Sequence, residues 1–175
     1  MAKISEDNAM KIRQATATDA DWLQSSFDNN MGWTKPSGYF VQVCEKQSQA
    51  DLVLLIATID DVYAGHLKII WQPNYPYFRE NDIPEIQDLN VVPDFRRRGI
   101  ATALMDEAES RIKTRAPIVG IGFGLYADYG AAQRMYVLRG YIPDGHGVAY
   151  DDKYPTPGTA VRLDDDLVLH LIKQL

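Results

Sequence analysis

The sequence predicts a single domain of the mixed α/β (α+β) class, and three observations carry this prediction. Segments rich in β-branched residues alternate with segments whose apolar residues recur at helical spacing. Between Glu85 and Tyr126 a strand, a helix and a second strand follow one another, which requires parallel pairing in the sheet. The length of 175 residues and the hydrophobic content of 46% suit one domain, residues 1–175, with a core of its own.

The first half of the chain is predicted to hold three strands and two helices. Thr18 and Asp19 cap a helix that ends near Asn29. Residues 1–10 are polar and are expected to be flexible. The other predicted elements are a strand at Ile12–Thr16, a helix at Gly38–Gln47, a hairpin of strands at Leu52–Thr58 and Val62–Trp71, and an ordered loop at Gln72–Asp82.

The second half is predicted to alternate strands with two amphipathic helices before a β-rich end. The elements are a strand at Glu85–Val92, a helix at Gly99–Thr114, a strand at Ile118–Tyr126, a helix at Gly130–Arg139, and strand segments at Tyr141–Ile142 and Ala160–Leu175 around a loop at Pro143–Thr159. The last segment is apolar toward its end, and an exposed apolar strand favours aggregation unless it is covered. A homodimer is one way to cover it.

The composition is that of an ordinary soluble chain. Lys and Arg number 18 and Asp and Glu number 24, so the net charge of −6 disfavours a general nucleic-acid binder. The single cysteine, Cys44, excludes an internal disulfide and is expected to be a packed core thiol, and the three histidines lack the spacing of metal ligands. Because we find neither a secretory leader nor an apolar run of about 20 residues, we expect a cytoplasmic protein without a membrane partner.

The stretch from Leu89 to Thr102 carries the most information about function. A strand runs into a tight turn and then directly into a helix, whose first backbone N–H groups are unpaired and carry partial positive charge. Gly99 at the corner lets a phosphate approach those amides, and Arg96, Arg97 and Arg98 add charge and paired donors. The pattern indicates a seat for a pyrophosphate; the alternative is a surface turn with solvated arginines.

Two segments of the chain resemble the signature of one enzyme family. Arg96-Arg97-Arg98-Gly99-Ile100-Ala101 fits the pattern Arg/Gln-x-x-Gly-x-Gly/Ala, after a strand ending Val-x-Pro and before a long helix. Ala132–Tyr141 looks like the pattern A-x-x-x-Y-x-x-x-G-[FY], in which a helix leads into a strand. Both are similar to motifs of the GNAT superfamily, the GCN5-related N-acetyltransferases, and the order of the elements matches over nearly the whole chain.

The resemblance implies a central mixed, mostly antiparallel sheet flanked by helices, with acetyl-coenzyme A as co-substrate and no metal. The coenzyme would lie in a V-shaped gap between the strands at Glu85–Val92 and Ile118–Tyr126. Backbone groups at Leu89–Val91 would hold the pantetheine arm, and the arginine-rich turn would hold the pyrophosphate. The implied coenzyme-binding residues are Leu89, Asn90, Val91, Arg96, Arg97, Arg98, Gly99, Ile100, Ala101, Thr102 and, where the family often has asparagine, Tyr129.

Gly120, Gly122 and Gly124 alternate along the predicted strand at Ile118–Tyr126, so one of its faces lacks side chains. That face is predicted either to admit a ligand chain closely or to receive bulky side chains from a neighbouring element. The spacing is not a dinucleotide fingerprint, because Leu125 stands where the third glycine would be needed.

Acetyl transfer to an amine needs a proton acceptor for the amine and a donor for the leaving thiolate. Deprotonating an alkyl amine of pKa ~10.4 at pH 7 costs roughly 4–5 kcal/mol, and a carboxylate can accept the proton. Glu85 is the first candidate, because it matches the base of some protein-acetylating members of the family, and Asp88 is the second; a charge at a solvated strand end is the alternative for Glu85. Tyr136 matches the general-acid tyrosine of the family, with plain core packing as the alternative.

We therefore expect an N-acetyltransferase that moves the acetyl group of acetyl-coenzyme A directly to a primary amine, with a small molecule favoured as acceptor. The acidic balance of the chain favours a small cationic amine. In the resembled fold the loop before Glu85 borders the acceptor site, so Tyr75 and Tyr77 are expected to form an aromatic wall there, which also favours such an amine; the alternative is that they only cover the core. A protein or peptide N-acetyltransferase and a non-catalytic coenzyme A-binding regulatory module are the alternatives.

Overall fold

A computed structural model describes residues 9–175 of the chain. Within this range the chain forms seven strands and five α-helices. The strands are β1 (Met10–Gln14), β2 (Leu52–Ile59), β3 (Val62–Ile70), β4 (Glu85–Val91), β5 (Ile118–Gly124), β6 (Ile142–Tyr150) and β7 (Leu167–Gln174). The helices are α1 (Ala20–Asn30), α2 (Tyr39–Ser48), α3 (Pro76–Glu80), α4 (Ile100–Lys113) and α5 (Gly130–Leu138).

The strands form one mixed sheet in the order β1-β2-β3-β4-β5-β7-β6. β4 and β5 are parallel and pair at Glu85–Gly120 and Ile86–Ile121, as the strand–helix–strand segment between them requires. β1 with β2, β5 with β7, and β6 with β7 are antiparallel. The predicted mixed α/β fold, with its mostly antiparallel sheet flanked by helices, is confirmed.

The chain divides into two compact units. Among the described residues, the first comprises residues 9–68 together with Asp88–Ala108, and the second comprises Ile69–Gln87 together with Glu109–Leu175. The first unit buries apolar side chains from its helices and strands, among them Leu23, Phe27, Phe40, Leu54, Ile56 and Leu67. The second unit has a core cluster of Tyr75, Phe78, Ile83 and Ala149.

Local chemistry explains how the N-terminal elements begin and turn. A capping box opens the short 3-10 turn that leads into α1, with the backbone N–H of Thr16 donating to Asp19 at 2.7 Å. Gly38, at φ 76°, turns the chain into α2. The hairpin of β2 and β3 turns at Asp60 and Asp61, whose φ angles of 51° and 62° suit a two-residue type I′ turn.

The predicted loop at Pro143–Thr159 is wrong over its first half, where the chain forms β6. Pro143, Gly145 and Gly147 are poor strand formers, so the local pattern favours a loop. Pairing with β7 overrides that preference, and the register shifts between Pro143 and Val148. Gly145 and Gly147 lie in this irregular stretch with φ angles of 90° and 77°, which glycine adopts without steric cost.

The C-terminal strand is shorter than predicted and lies inside the sheet. β7 begins at Leu167 and not at Ala160, because the chain first turns at Asp164, whose carbonyl accepts from the N–H of Leu167 at 3.3 Å. β5 pairs with one edge of β7 and β6 with the other. The backbone of the apolar C-terminal strand is therefore covered within the second unit, and it no longer argues for a dimer.

The predicted loop at Gln72–Asp82 contains the short helix α3, with Pro76 at its first position. Proline suits that position because its missing N–H would have no helical partner there. Phe78 is fully buried in the core of the second unit, so this segment is ordered by packing.

The N-terminal prediction is only partly open to comparison. Of the ten residues expected to be flexible, residues 1–8 lie outside the described residues, and Met10 opens β1 opposite Ile59. Within residues 9–175, every helix is too short or too polar to span a bilayer.

Candidate active site

The turn between β4 and α4 has the backbone conformation of an anion-binding site. Arg97 and Gly99 have left-handed backbones, with φ angles of 62° and 81°, on either side of Arg98. Alternation of this kind turns successive N–H groups toward one concave side. The N–H of Ala103 donates to the carbonyl of Gly99 at 2.9 Å, so the N–H groups of residues 100–102 precede the hydrogen-bond ladder of α4. The turn thus presents the donors that a phosphate requires.

The three arginine side chains of this turn are exposed. Nε of Arg96 donates to the carbonyl of Val91 at 3.2 Å, and the guanidinium of Arg98 lies 5.3 Å from the centre of the Phe95 ring. A left-handed conformation costs a residue such as Arg97 about 1–2 kcal/mol, so the surrounding turn must impose it. The seat is therefore formed mainly by the backbone, with exposed positive charge around it.

The predicted pantetheine-binding positions Leu89, Asn90 and Val91 are half-buried in the last part of β4. Gly65 of β3 packs against this stretch so closely that a Cβ at Gly65 would collide with the carbonyl oxygen of Asn90. Asp88 has a φ angle of 56°, which interrupts the regular pleat of β4. The strand is thus kinked immediately before the three positions predicted to hold the coenzyme arm.

Asp88 is the centre of a hydrogen-bond network in the first unit. Its Oδ1 accepts from Nζ of Lys35 at 2.6 Å. Its Oδ2 accepts from the hydroxyl of Tyr39 at 2.5 Å and from Nε2 of His66 at 3.1 Å. His66 is fully buried, and its Nδ1 shares a 2.6 Å hydrogen bond with the hydroxyl of Tyr63. Sequence reasoning missed this network, because its members come from distant parts of the chain.

The surroundings of Asp88 keep its carboxylate ionised. Burial alone would raise the pKa of Asp88, but the hydrogen bond from His66 and the charges of His66, Lys35 and Lys68 outweigh it and hold the pKa well below its ordinary value. A general base works best with a pKa near the working pH. Asp88 is therefore suited to anchor a cation and not to accept a proton, which leaves Glu85 as the candidate base.

Glu85 opens β4 opposite Gly120 and is only 5% exposed. Nε2 of Gln87 donates to its Oε2 at 2.8 Å. The alternative of a charge at a solvated strand end is therefore wrong. Glu85 is thus a buried carboxyl group at the start of β4 and remains the candidate base.

Tyr136 lies on α5 in the second unit and is 5% exposed. Its ring stacks on Phe123 of β5 with centroids 6.3 Å apart, and the ring of Tyr141 lies 6.0 Å away. Burial raises the pKa of Tyr136 to about 12, so the hydroxyl keeps its proton at neutral pH. The ring thus packs in the core while the hydroxyl remains a donor, so the two predicted roles are compatible.

The glycine-lined face of β5 is filled by side chains of the second unit. A Cβ at Gly120 would collide with Phe78, one at Gly122 would lie 2.7 Å from Val168, and one at Gly124 would lie 2.5 Å from Tyr129. Of the two predicted uses of this face, the structure supports the one in which bulky neighbours replace the missing side chains.

Tyr129 binds a loop of the second unit. Its hydroxyl donates to Oδ1 of Asp165 at 2.8 Å, and the hydroxyl of Tyr126 donates to the same oxygen. Burial, followed by the hydrogen bond and charge of Asp165, raises the pKa of Tyr129. The predicted contact of this hydroxyl with the coenzyme would therefore require it to leave Asp165.

The predicted aromatic wall is wrong for Tyr75, which is 1% exposed. Its ring lies parallel to the ring of His170 with centroids 3.6 Å apart, and its hydroxyl donates to Asp144 at 2.7 Å. Tyr77 is half-buried and lies 4.1 Å from the ring of His146. Sequence reasoning assigned no role to His170 because it sits at a core position of an apolar strand.

The remaining candidate side chains carry little chemistry. Cys44 is buried, its thiol donates to the carbonyl of Thr16 at 3.5 Å, and burial raises its pKa, so it is the packed thiol that was predicted. In the part of the chain that the structure describes, no three His, Cys, Asp or Glu side chains group as metal ligands.

Comparisons with known proteins place these features in a family. The family model of the acetyltransferase (GNAT) family matches residues 15–141. A GNAT-family protein from Desulfovibrio desulfuricans is similar with a TM-score of 0.70 at 16% identity, over 95% of this chain and 99% of that chain. A Salmonella typhimurium protein solved with its cofactor acetyl-CoA is similar with a TM-score of 0.66 at 15% identity, over 95% of this chain and 94% of that chain.

A ribosomal-protein-alanine N-acetyltransferase from Brucella melitensis is similar with a TM-score of 0.67 at 17% identity, over 94% of this chain and 99% of that chain. No curated protein sequence matches the chain. At these identities the solved structures show the fold alone, whereas the family model covers most of the sequence, including both motifs. The chain therefore belongs to the GNAT acetyltransferase family.

Proposed function

We propose that this protein is an N-acetyltransferase that moves the acetyl group of acetyl-coenzyme A directly to a primary amine of a small molecule. The observation that carries the proposal is the pair of left-handed residues, Arg97 and Gly99, immediately before α4. With the first amides of α4 they form a seat suited to the pyrophosphate of the coenzyme. Membership of the GNAT acetyltransferase family supports acetyl transfer as the reaction class.

The coenzyme is assigned to residues of the first unit. The amides of residues 97–102 and the exposed arginines would bind the pyrophosphate, and the backbone at Leu89–Val91 would bind the pantetheine arm. The Salmonella typhimurium protein of similar fold was solved with its cofactor acetyl-CoA, which supports acetyl-coenzyme A as the co-substrate. Bound acetyl-coenzyme A supplies an activated thioester, whose acetyl group the amine attacks.

Glu85 is assigned the acceptance of the proton that the amine must lose, directly or through a water. In the same transfer the C–S bond of the thioester breaks, the amide C–N bond forms, and the thiolate of coenzyme A leaves. The hydroxyl of Tyr136 is assigned to that thiolate. With its pKa at about 12 against ~8.5 for a thiol, complete proton transfer would cost about 5 kcal/mol, so Tyr136 acts by donating a hydrogen bond to the sulfur.

The test is a panel of primary amines with the purified chain and acetyl-coenzyme A, read out by release of free thiol and by mass of the product. We expect acetylated small amines and one thiol per product. Acetyl-coenzyme A should also raise the melting temperature, because it binds only the native state. A melting shift without any acetylated product would identify a non-catalytic coenzyme-binding module, and the absence of both would overturn the proposal.

A protein N-terminus is the second candidate acceptor. The Brucella melitensis enzyme of similar fold is named for ribosomal-protein alanine. Peptides with N-terminal alanine therefore belong in the same panel. Acetylation of those peptides without acetylation of any small amine would replace the small-molecule assignment.

A further inference from the structure

Lys35, in the loop between α1 and α2, holds its ammonium group in a cage of one carboxylate and three aromatic rings. Its Nζ donates to Asp88 at 2.6 Å and lies 4.6, 5.0 and 5.4 Å from the ring centres of Tyr39, Trp33 and Phe27. The side chain of Lys35 is only 11% exposed. We call Asp88 and the three rings the ammonium cage, because a carboxylate and ring faces are the groups that recognise an organic cation.

The charges around the cage suit a single exchangeable cation. Besides Lys35, the carboxylate of Asp88 has three other partners. Nζ of Lys68 lies 3.9 Å away, His66 donates a hydrogen bond, and Nδ2 of Asn90 donates another at 2.7 Å. These contacts hold its carboxylate in place whether or not Lys35 is present. Replacing the ammonium of Lys35 by that of a ligand leaves the net charge of the cage unchanged, whereas a neutral ligand would leave the carboxylate short of one partner.

The main chain of Lys35 is held by contacts that do not involve its side chain. The N–H of Lys35 donates to Oδ1 of Asp28 at 3.1 Å, and its carbonyl accepts from Nε2 of Gln24 at 3.4 Å. Both contacts tie the main chain to α1. The ammonium group meets the cage through the hydrogen bond to Asp88 and the three ring contacts, so we expect the side chain to be able to leave while these main-chain contacts persist.

The position of the cage on β4 relates it to the reaction, if the proposed function holds. Asp88 directly precedes Leu89–Val91, the positions proposed to bind the pantetheine arm, while the pyrophosphate seat follows on the far side of them. The cage therefore lies toward the thioester end of the coenzyme. A strand advances about 3.3 Å per residue, so the ammonium cage and the positions proposed for the pantetheine arm are neighbours on β4.

The cage is unsuited to the amine that reacts, because that amine must be neutral to attack. Losing its proton at pH 7 already costs roughly 4–5 kcal/mol, and a site that stabilises the charged form adds to this cost. We infer that the ammonium cage binds a second, non-reacting ammonium group of the acceptor, and that Lys35 is an internal competitor that the acceptor displaces. The acceptor class is then a linear diamine, whose arm resembles the unbranched side chain of Lys35.

The test compares 1,4-diaminobutane with 1-aminobutane in the wild-type protein. We expect kcat/KM to be at least about tenfold higher for the diamine, the equivalent of one desolvated cation–π contact and more than the factor of two from its two amines. A ratio at or below two would overturn the inference. If 1-aminobutane is acetylated and the ratio is two or less, the inference fails but the proposed function stands. If none of the amines leads to release of thiol, the result counts against the proposed function itself.

Two variants locate the effect at the cage. Lys35→Met removes the competitor, and we expect the KM for 1,4-diaminobutane to fall and the diamine-to-monoamine ratio to rise further. Lys46→Met, at an exposed position of α2, is the matched control and should keep the wild-type ratio. Asp88→Asn should bring the ratio to about two, the statistical value for two equivalent amines.

The inference is contradicted if the diamine-to-monoamine ratio of kcat/KM is the same in Lys35→Met as in Lys46→Met. It is also contradicted if Asp88→Asn keeps the ratio of the wild type. Should a variant fail to fold, the wild-type ratio still decides. A variant whose melting temperature still rises when acetyl-coenzyme A is added is folded and binds the coenzyme.

Discussion

At the scale of single residues, Tyr136 has two roles that belong to different parts of its side chain: the ring packs in the core, and the hydroxyl is the proposed hydrogen-bond donor. The ring fills core volume beside Phe123, and the hydroxyl, with its pKa raised to about 12 by burial, is available as a donor. Phenylalanine would keep the packing and remove only the donor.

For Tyr136→Phe we expect kcat to fall by about 10²-fold, the lower range for a lost hydrogen-bond donor to a developing negative charge, while the KM for acetyl-coenzyme A changes little. Steady-state kinetics by thiol release measures both. Tyr141→Phe is the matched control, because Tyr141 is buried in the same unit and its hydroxyl donates to Glu109 at 3.0 Å. An unchanged kcat in Tyr136→Phe would remove Tyr136 from the mechanism.

Glu85→Gln tests the general base. Glutamine keeps the size of the side chain and cannot accept the proton, so we expect a loss of rate at pH 7 that shrinks as the pH approaches the pKa of the acceptor amine, which then deprotonates unaided. The pH–rate profile measures this. Glu80→Gln, at an exposed position of α3, is the control, and a wild-type profile in Glu85→Gln would rule out the assignment.

His170 gives a pH dependence of stability. Burial lowers its pKa from 6.5 to about 4, although the charge of Asp144 partly opposes this. Because the unfolded state binds the proton more readily, the stability is fully present above pH 6.5 and is lost as the pH falls from 6.5 to about 4, by about 3 kcal/mol. Urea unfolding across this window should show a weaker pH dependence for His170→Gln than for the wild type; equal slopes would contradict the assignment.

At the scale of elements, the turn before α4 combines two backbone requirements. Gly99 must be left-handed to turn the chain into the helix, and the same geometry directs the amides of the turn toward a common side. The space around a Cβ at Gly99 is open, with no heavy atom within 4 Å, so a side chain there would disturb the backbone and nothing else.

Gly99→Ala is therefore expected to destabilise the protein by about 1–2 kcal/mol, the cost of a left-handed alanine, and to weaken the binding of coenzyme A. Calorimetric titration and unfolding measure the two effects. Gly130→Ala is the matched control: that position also has open space, but its φ angle is −55°, so alanine should be neutral or stabilising there. Equal coenzyme affinity in the two variants would show that the turn does not bind the phosphates.

At the scale of the whole molecule, a net charge of −6 coexists with a turn proposed to bind the pyrophosphate of the coenzyme. The seat depends on local backbone donors and three neighbouring arginines, which act over short distances. The surplus of acidic residues acts over longer distances and would attract the proposed cationic acceptor.

We therefore expect kcat/KM for 1,4-diaminobutane, at saturating acetyl-coenzyme A, to fall as ionic strength rises from about 10 to 150 mM, because the Debye length shortens from about 30 to 8 Å. An aromatic amine that is uncharged at pH 7 serves as the control and should respond less. Equal salt dependence for the two amines would show that the net charge does not steer the acceptor.

The sequence predicted the features that depend on neighbouring residues. The helix at Gly99–Thr114 and the strand at Glu85–Val92 follow from periodicity, and the turn between them follows from a glycine and three arginines within a few positions. β6 escaped prediction because Pro143, Gly145 and Gly147 oppose a strand locally, and only the pairing with β7 forms it.

The sequence by itself determined the family and the strand, turn and helix between Glu85 and Thr114, because short motifs and local periodicity carry that information. Tertiary structure alone decided that Tyr75 belongs to the core, that Phe78 fills the space beside Gly120, and that Lys35 meets Asp88. Lys35 and Asp88 are 53 residues apart in the chain, and the contact between them exists only because the fold brings the loop after α1 onto β4.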